Sequence, residues 1–218
     1  SRRVVGIIAS LAVGASFVVA VLVLVEMLGL PVEMEAGGNG RERIIPLFSW
    51  IVAGSFDVQF SMLLDQLSIL MVLVVTGVST LIHIYSTAYM EGEEYHNRYF
   101  TWLNLFVFMM LILVLSDNFV SLYLGWEGVG LCSYLLIGFW FEDPQKASAG
   151  KKAFIVNRIG DLGFLLGMFI LFGAAGTLSV DGLRQAADGG MISAGVATAV
   201  CLFLFVGATG KSAQIPLY

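Results

Sequence analysis

The sequence predicts an all-α polytopic membrane protein with about six transmembrane helices. Hydrophobic residues make up 58% of the 218-residue chain and charged residues only 12%, whereas a soluble domain carries about 25% charged residues. The apolar residues are gathered in six runs, each close to or above the roughly 20 residues that cross a bilayer as a helix. The net charge of −5 argues against nucleic acid as a partner, because proteins that bind it present basic surfaces.

The first run, from Val4 to Leu30, follows Arg2 and Arg3 and predicts a transmembrane helix rather than a signal peptide. A signal peptide has an apolar region of about 7–15 residues and a small-residue cleavage site, and this run is far longer and has no such site. The chain starts at Ser1 without an initiator Met and stops at Tyr218 inside an apolar run, which indicates a fragment of a longer protein.

Segment 31–62 is more polar than the runs on either side of it. Its Gly37-Gly38-Asn39-Gly40 stretch predicts a loop in water. Residues 46–60 alternate weakly between apolar and polar side chains, which favours short strands. We therefore expect an extracytoplasmic loop with a small β-hairpin on the membrane surface.

Five further spans are expected, at about 63–85, 99–115, 119–141, 149–174 and 191–218. The short turn 116–118 makes the spans on either side of it an antiparallel hairpin. Pro144 should break the chain between the fourth and fifth spans, because proline disfavours a helical conformation in its predecessor. A short helix is expected at about 180–187, in the polar connection before the last span.

Basic residues are distributed unequally between the two predicted sides of the membrane. One side carries Arg2, Arg3, Arg98, Lys146, Lys151 and Lys152, and the other carries Arg41, Arg43 and Arg184. Because cytoplasmic loops carry the excess of Lys and Arg, we expect the N-terminus to be cytoplasmic and segment 31–62 to face the opposite side.

Two isolated charges within the spans are the strongest functional signal. Glu127 lies inside the fourth run and Lys211 inside the last one, where a charge costs about 2.5–3.5 kcal/mol or more and usually has a partner. Lys211 has no acidic residue at helical spacing on its own helix, so its partner must come from another helix. We predict that Glu127 is this partner and that Lys211 gives and takes a proton. A static pair that only fixes the packing of two helices is the alternative.

Two further charges, Arg158 and Asp161, are three residues apart on the fifth span and can therefore pair with each other. The last span has its own peculiarity: Gly207 and Gly210 precede Lys211, and Pro216 follows it. Proline lacks a backbone N–H and breaks or kinks helices. We therefore expect the last helix to be broken around these three residues, in a form that lines a hydrated path.

The remaining reactive residue types predict structural roles. Cys132 and Cys201 lie in apolar runs without a CxxC pattern and are expected to be small buried hydrophobic residues. His83 near the end of a span is expected to be interfacial or hydrogen-bonded, and His96 in a charged turn to be solvated. The sequence contains no catalytic triad, metal signature or dinucleotide fingerprint, which predicts no metal and no cofactor in this chain.

Several of these motifs resemble one known family, the antiporter-like L subunit (subunit 5 in mitochondria) of respiratory complex I, the NADH:quinone oxidoreductase. Segment 124–140, with Gly125-Trp126-Glu127-Gly128-Val129-Gly130, resembles the fifth helix of that family, and Gly210-Lys211-Ser212-Ala213-Gln214-Ile215-Pro216 resembles its broken seventh helix. The stretches 90–94, 116–118 and 157–161 also fit it, in order and at suitable spacing.

The resemblance implies that residues 1–98 are N-terminal transmembrane helices with the loop or hairpin at 31–62, and that 99–218 form an incomplete first antiporter-like repeat. It implies that Glu127 and Lys211 carry proton translocation. It also implies that Arg158 and Asp161 modulate that pair or couple it to a neighbouring subunit.

The same resemblance implies a hetero-oligomer in the cytoplasmic (inner) membrane of a bacterium. The partners would be other complex I membrane subunits, especially a neighbouring antiporter-like subunit, with FMN and Fe–S clusters held elsewhere in the complex. Two alternatives stay open: the related large subunit of a multisubunit Na⁺/H⁺ antiporter, and a purely structural membrane anchor.

Overall fold

The computed structural model describes residues 2–29, 41–54 and 56–218. In these ranges six helices are long and apolar enough to span a membrane, which confirms the polytopic all-α class. The helices are α1 Arg2–Gly29, α2 Gln66–Tyr89, α3 His96–Leu115, α4 Phe119–Ile137, α5 Pro144–Ala175, the short α6 Val180–Asp188, and α7 Ala194–Lys211. The strands are β1 Arg43–Ala53 and β2 Phe56–Leu64. The loop predicted at Gly37–Gly40 lies outside the described residues.

The helices pack in two neighbouring groups. α1, α2 and α3 contact one another, α4 packs against both α3 and α5, and α5 packs along α7. A core of apolar side chains from α5, α6 and α7, including Phe164, Met168 and Val200, lies beside the aromatic residues of α4. α4 therefore contacts both groups of helices.

The hairpin is longer than the sequence predicted. β1 and β2 pair antiparallel from Arg43–Leu64 to Ala53–Phe56, so β2 uses residues that were expected to start the second span. α2 begins only at Gln66 because Asp65 caps it: the Asp65 carboxylate accepts from the Ser68 N–H at 2.7 Å, and the Ser68 hydroxyl accepts from the Asp65 N–H at 2.8 Å.

The fifth span begins five residues earlier than expected, at Pro144 rather than near Ala149. Proline is tolerated in the first turn of a helix because the N–H it lacks would have had no partner there. The Asp143 carboxylate accepts a hydrogen bond from the Gln145 N–H at 2.9 Å and caps this helix. Pro144 thus separates α4 from α5 and starts α5 at the same time.

The helical part of the last span ends at Lys211, before Pro216, but Gly207 and Gly210 do not interrupt α7, contrary to the expected break at these two positions. They allow close contact with α5 instead: a Cβ built on Gly210 would lie 3.2 Å from the Gly160 Cα, and a Cβ on Gly207 would lie 3.1 Å from the Phe164 Cβ. The helix is regular until Lys211, and Pro216 lies in the turns that follow. Small residues used in this way let two helix backbones approach closely inside a membrane.

Candidate functional site

The four charged residues predicted inside the spans come together where α4, α5 and the end of α7 meet. Arg158 on α5 forms an ion pair with Glu127 on α4 through Nη1 and Oε2. The Arg158 guanidinium also lies over the Phe154 ring, 4.7 Å from its centroid, in a cation–π contact. The pairing differs from the predicted Arg158–Asp161 pair within α5, because Glu127 reaches the guanidinium from the neighbouring helix.

Asp161 and Lys211 are connected through Trp126. The Trp126 indole N–H donates to Asp161 Oδ1 at 2.5 Å, and the Trp126 backbone carbonyl accepts from Lys211 Nζ at 3.0 Å. The ammonium also lies 5.4 Å from the centroid of the Trp126 ring. Asp161 is only 2% exposed, and its carboxylate and the ammonium attract each other electrostatically.

The predicted direct contact between Glu127 and Lys211 is not formed in this arrangement. Among the described residues, Glu127 forms an ion pair with Arg158, whereas Lys211 has no carboxylate within 4 Å. The second oxygen of Glu127, Oε1, is buried and has no hydrogen bond of regular geometry in the described part of the chain. The nearby Tyr123 hydroxyl interacts electrostatically with the same carboxylate.

Local sequence explains how α4 presents Glu127 and Trp126. The Asn118 side chain caps the helix by accepting from the N–H groups of Val120 at 3.1 Å and Ser121 at 2.9 Å. Gly125 allows α3 to approach, since a Cβ there would lie 2.6 Å from the Leu113 backbone nitrogen. α4 is thereby held at a fixed distance from α3, with the Trp126 ring packed 5.0 Å from the Phe164 ring of α5.

Trp126 is the member of the site that sequence reasoning missed. The signal was available, because a buried indole N–H inside an apolar run needs a hydrogen-bond partner, and Asp161 was already identified as a buried acid. What the sequence did not reveal was that one residue binds two of the predicted charges with different atoms.

The histidines and cysteines lie outside this cluster. His83 is 0% exposed and its Nδ1 lies 2.7 Å from the Ser79 carbonyl oxygen, which agrees with the hydrogen-bonded alternative. His96 is 2% exposed, so the prediction of a solvated ring is wrong; its ring packs 4.8 Å from that of Phe100. Cys132 is buried as predicted, whereas Cys201 is exposed on α7. No group of three or more metal-ligating side chains occurs in the ranges that the structure describes.

Two family models match the chain. Residues 116–218 match the family described as NADH:quinone oxidoreductase/Mrp antiporter, TM. Residues 50–100 match the N-terminal family of NADH-ubiquinone oxidoreductase (complex I), chain 5. The first match contains all four charged residues of the site.

Relatives agree with these family matches. The NADH-quinone oxidoreductase subunit L of Mycobacterium tuberculosis is 48% identical over 205 residues, which is 93% of this chain and 31% of the relative. Subunit L of Escherichia coli is 46% identical over 82% of this chain and 30% of the relative. Chain 5 of NADH-ubiquinone oxidoreductase from Metridium senile is 43% identical over 83% of this chain and 30% of the relative. The chain thus spans about a third of the length of these relatives.

Solved structures show the same fold at lower identity. The Mrp complex from Dietzia sp. superimposes with a TM-score of 0.72 at 24% identity, over 99% of this chain and 23% of that chain. The membrane-bound sulfane sulfur reductase, an archaeal respiratory membrane complex, also has a TM-score of 0.72, at 18% identity, over 94% of this chain and 38% of that chain. These two likenesses concern the fold alone.

Proposed function

Since the chain belongs to the antiporter-like family of complex I and Mrp membrane subunits, we propose that it is part of a proton-translocating subunit of an NADH:quinone oxidoreductase. The observation that carries the proposal is the cluster of Glu127, Arg158, Asp161 and Lys211 inside the spans. Charges at this depth are costly and mark ion or proton pathways in membrane proteins. The redox chemistry, with FMN, Fe–S clusters and quinone, would take place in other subunits.

The cluster suggests how a proton would move. Arg158 holds Glu127 in the present arrangement, while Lys211 is bound by the Trp126 carbonyl near Asp161. A shift of Glu127 from Arg158 to Lys211 would stabilise the ammonium, and the reverse shift would favour loss of its proton. Two unit charges 4 Å apart interact by about 4 kcal/mol at an effective dielectric constant near 20, which corresponds to a factor of about 1,000 in proton affinity.

The modulating role proposed for Arg158 and Asp161 follows from the same geometry. Arg158 competes with Lys211 for Glu127, and Asp161 supplies a second negative charge close to Lys211. Arg158 is also half-exposed and lines a surface cavity of about 490 Å³ with Tyr123 and Phe154. A movement in a neighbouring antiporter-like subunit at this surface would therefore reach the guanidinium first.

The topology is proposed from charge and family together. The N-terminus and the turn around Glu91–Arg98 would lie in the cytoplasm of a bacterium, with the β-hairpin on the other side of the inner membrane. Residues 99–218 would form most of the first antiporter-like repeat, up to the end of α7. The partners would be other membrane subunits of the complex.

The direct test uses Lys211→Met and Glu127→Gln as separate variants in the assembled complex. NADH-driven proton pumping and coupled quinone turnover should fall by about 100-fold or more, since loss of a positioned proton-transfer group typically costs a factor of 10²–10⁴. Lys151→Met, which removes an exposed lysine of α5, is the control and should pump normally. If both cluster variants assemble and pump like the parent, the cluster is structural and the proposal fails.

The alternative of a Na⁺/H⁺ antiporter subunit is favoured by the description of the family that matches 116–218, which includes Mrp antiporters. It predicts that the parent protein assembles without a redox partner and exchanges Na⁺ for H⁺ in vesicles. The structural-anchor alternative predicts that neutral substitutions are tolerated, because a buried ion pair by itself is weak evidence for stability.

A further inference from the structure

The Lys211 ammonium lies on one turn of α4, between Trp126 and Gly130. In an α-helix the carbonyl of residue i accepts from the N–H of residue i+4. Each Cα–Cβ bond tilts toward the N-terminus of the helix. A side chain at i+4 therefore covers the carbonyl at i, and a glycine at i+4 leaves that carbonyl open to a second donor. Trp126 and Gly130 have this spacing.

The structure shows that the open space is used. Lys211 Nζ is 3.0 Å from the Trp126 carbonyl oxygen, and a Cβ built on Gly130 would lie 2.6 Å from the same Nζ. Apart from the chain neighbours and the nearby backbone of α4, Nζ is the only heavy atom of the described residues within 4 Å of that position. Within ranges 2–29, 41–54 and 56–218, the volume of one methyl group at Gly130 is thus occupied by the ammonium alone.

Other glycines of α4 serve helix packing instead. A Cβ on Gly125 would clash with the Leu113 backbone of α3, and a Cβ on Gly128 would clash with the Met109 side chain of the same helix. Gly130 has no such neighbour in the part of the chain that the structure describes, although glycine inside a helix costs about 1 kcal/mol relative to alanine. Close contact between helices therefore does not account for Gly130, whereas the position of Lys211 does.

We propose that Gly130 is a positioning residue for Lys211: the space left by its missing side chain, together with the Trp126 carbonyl, forms the binding position of the ammonium. The inference rests on the proposed proton-transfer role of Lys211 and specifies what fixes the position of its ammonium. In Gly130→Ala the methyl group would force Nζ away from the carbonyl, with no change in charge and with no clash against a helix backbone in the described residues.

The experiment is a double-mutant cycle in the assembled complex. Gly130→Ala and Lys211→Met are made singly and together, because the shorter methionine side chain has no atom at the Nζ position. Gly173→Ala is the matched control, since a Cβ at this helical glycine of α5 meets no described residue within 4 Å. Proton pumping per NADH oxidised, the yield of assembled complex and its melting temperature are measured for each variant.

We expect Gly130→Ala to reduce pumping by about tenfold, the typical effect of losing a hydrogen bond to a charged group, while Gly173→Ala pumps normally. Gly130→Ala should lower the melting temperature or the assembly yield in the Lys211 background and leave both unchanged or raised in the Lys211→Met background. This non-additivity is the mark of two residues in direct contact. A purely structural role for Gly130 would not produce it.

The possible outcomes separate the inference from the proposed function. If Lys211→Met abolishes pumping and Gly130→Ala does not reduce it, the positioning role of Gly130 is wrong and the proposed function stands. Equal losses of stability or assembly from Gly130→Ala in both backgrounds also contradict the positioning role, because position 130 must then contact something other than Lys211. If Lys211→Met itself pumps normally, the proposed function fails, while the stability cycle still decides whether Gly130 positions the lysine.

Discussion

Two regions of the molecule place ionisable side chains among apolar ones. One is the cluster on α4, α5 and α7, and the other is the histidine pair His83 and His96 in the α1–α3 group. The contacts of the ionisable groups differ between the two regions. In the cluster, Asp161, Lys211 and Arg158 all bind groups on α4. In the histidine pair, the rings of His83 and His96 both pack beside Phe100. The charges of the cluster contact groups on a neighbouring helix, whereas the histidine rings pack against an aromatic side chain.

The hydrogen bonds sharpen the contrast. His83 Nε2 and His96 Nδ1 are buried without a hydrogen-bond partner among the described residues. A neutral imidazole can be buried at moderate cost, whereas an unpaired carboxylate, ammonium or guanidinium cannot. The histidines can therefore be static parts of the core. Each charge of the cluster has a partner on another helix, so that a change at one of them affects the others.

Removal of Asp161 should produce the largest effect. Asp161→Ala deprives Lys211 of its nearest negative charge on α5 and leaves the Trp126 indole N–H unpaired. The buried indole N–H left without its acceptor costs about 1–3 kcal/mol, and the electrostatic attraction between Asp161 and Lys211 is lost as well. We therefore expect a strongly lowered melting temperature of the complex and loss of pumping.

The exposed Asp188→Ala provides the control and should behave like the parent. Asp161→Asn should be milder than Asp161→Ala, because the amide oxygen can still accept from the indole. An Asp161→Ala complex with parental stability and pumping would mean that the carboxylate does not belong to an interdependent cluster.

Trp126→Phe should have an intermediate effect. It keeps the aromatic ring and the backbone carbonyl that binds Lys211, but it removes the N–H that donates to Asp161. A buried acceptor left without its donor costs about 1–3 kcal/mol. Pumping should fall less than in Asp161→Ala, because both charges remain in place.

Trp140→Phe is the matched control for this substitution, since the Trp140 indole N–H donates to Glu93 Oε2 at 3.1 Å in an exposed position. An exposed hydrogen bond is readily replaced by water, so melting temperature and pumping should stay near parental values. Equal effects of the two tryptophan variants would show that burial of the Trp126–Asp161 bond adds nothing.

Much of this comparison was predictable from the sequence, because a charged residue inside an apolar run can be recognised without a structure. Glu127, Arg158, Asp161 and Lys211 were identified from their positions inside apolar runs, and the structure brings them together. Their pairing was not predictable in the same way. Helical spacing allowed Arg158 and Asp161 to pair within α5, but the choice of partner depends on how α4 and α5 rotate against each other.

The errors at helix ends have the same origin. Pro144 was interpreted as a break, although the Asp143 cap makes it the first residue of α5. Gly207 and Gly210 were interpreted as helix breakers, although contact with α5 makes small residues favourable there. At each position the tendency of proline or glycine to end a helix was outweighed by a contact with another residue, and the sequence alone does not show which residue makes that contact. Burial of His96 was missed for this reason too, since its charged turn gave no sign of Phe100.

Replacement of His83 should have the smallest effect and bears on the other half of the comparison. His83→Phe removes the hydrogen bond between Nδ1 and the Ser79 carbonyl, 2.7 Å apart, and introduces a ring of similar shape. A single neutral hydrogen bond contributes about 0.5–1.5 kcal/mol, part of which is regained because the unpaired Nε2 is no longer buried. We expect a melting temperature close to that of the parent and unchanged proton pumping at all pH values tested. A variant that assembles normally but loses pumping would show that the histidine group also carries protons, and the contrast between the two regions would then no longer hold.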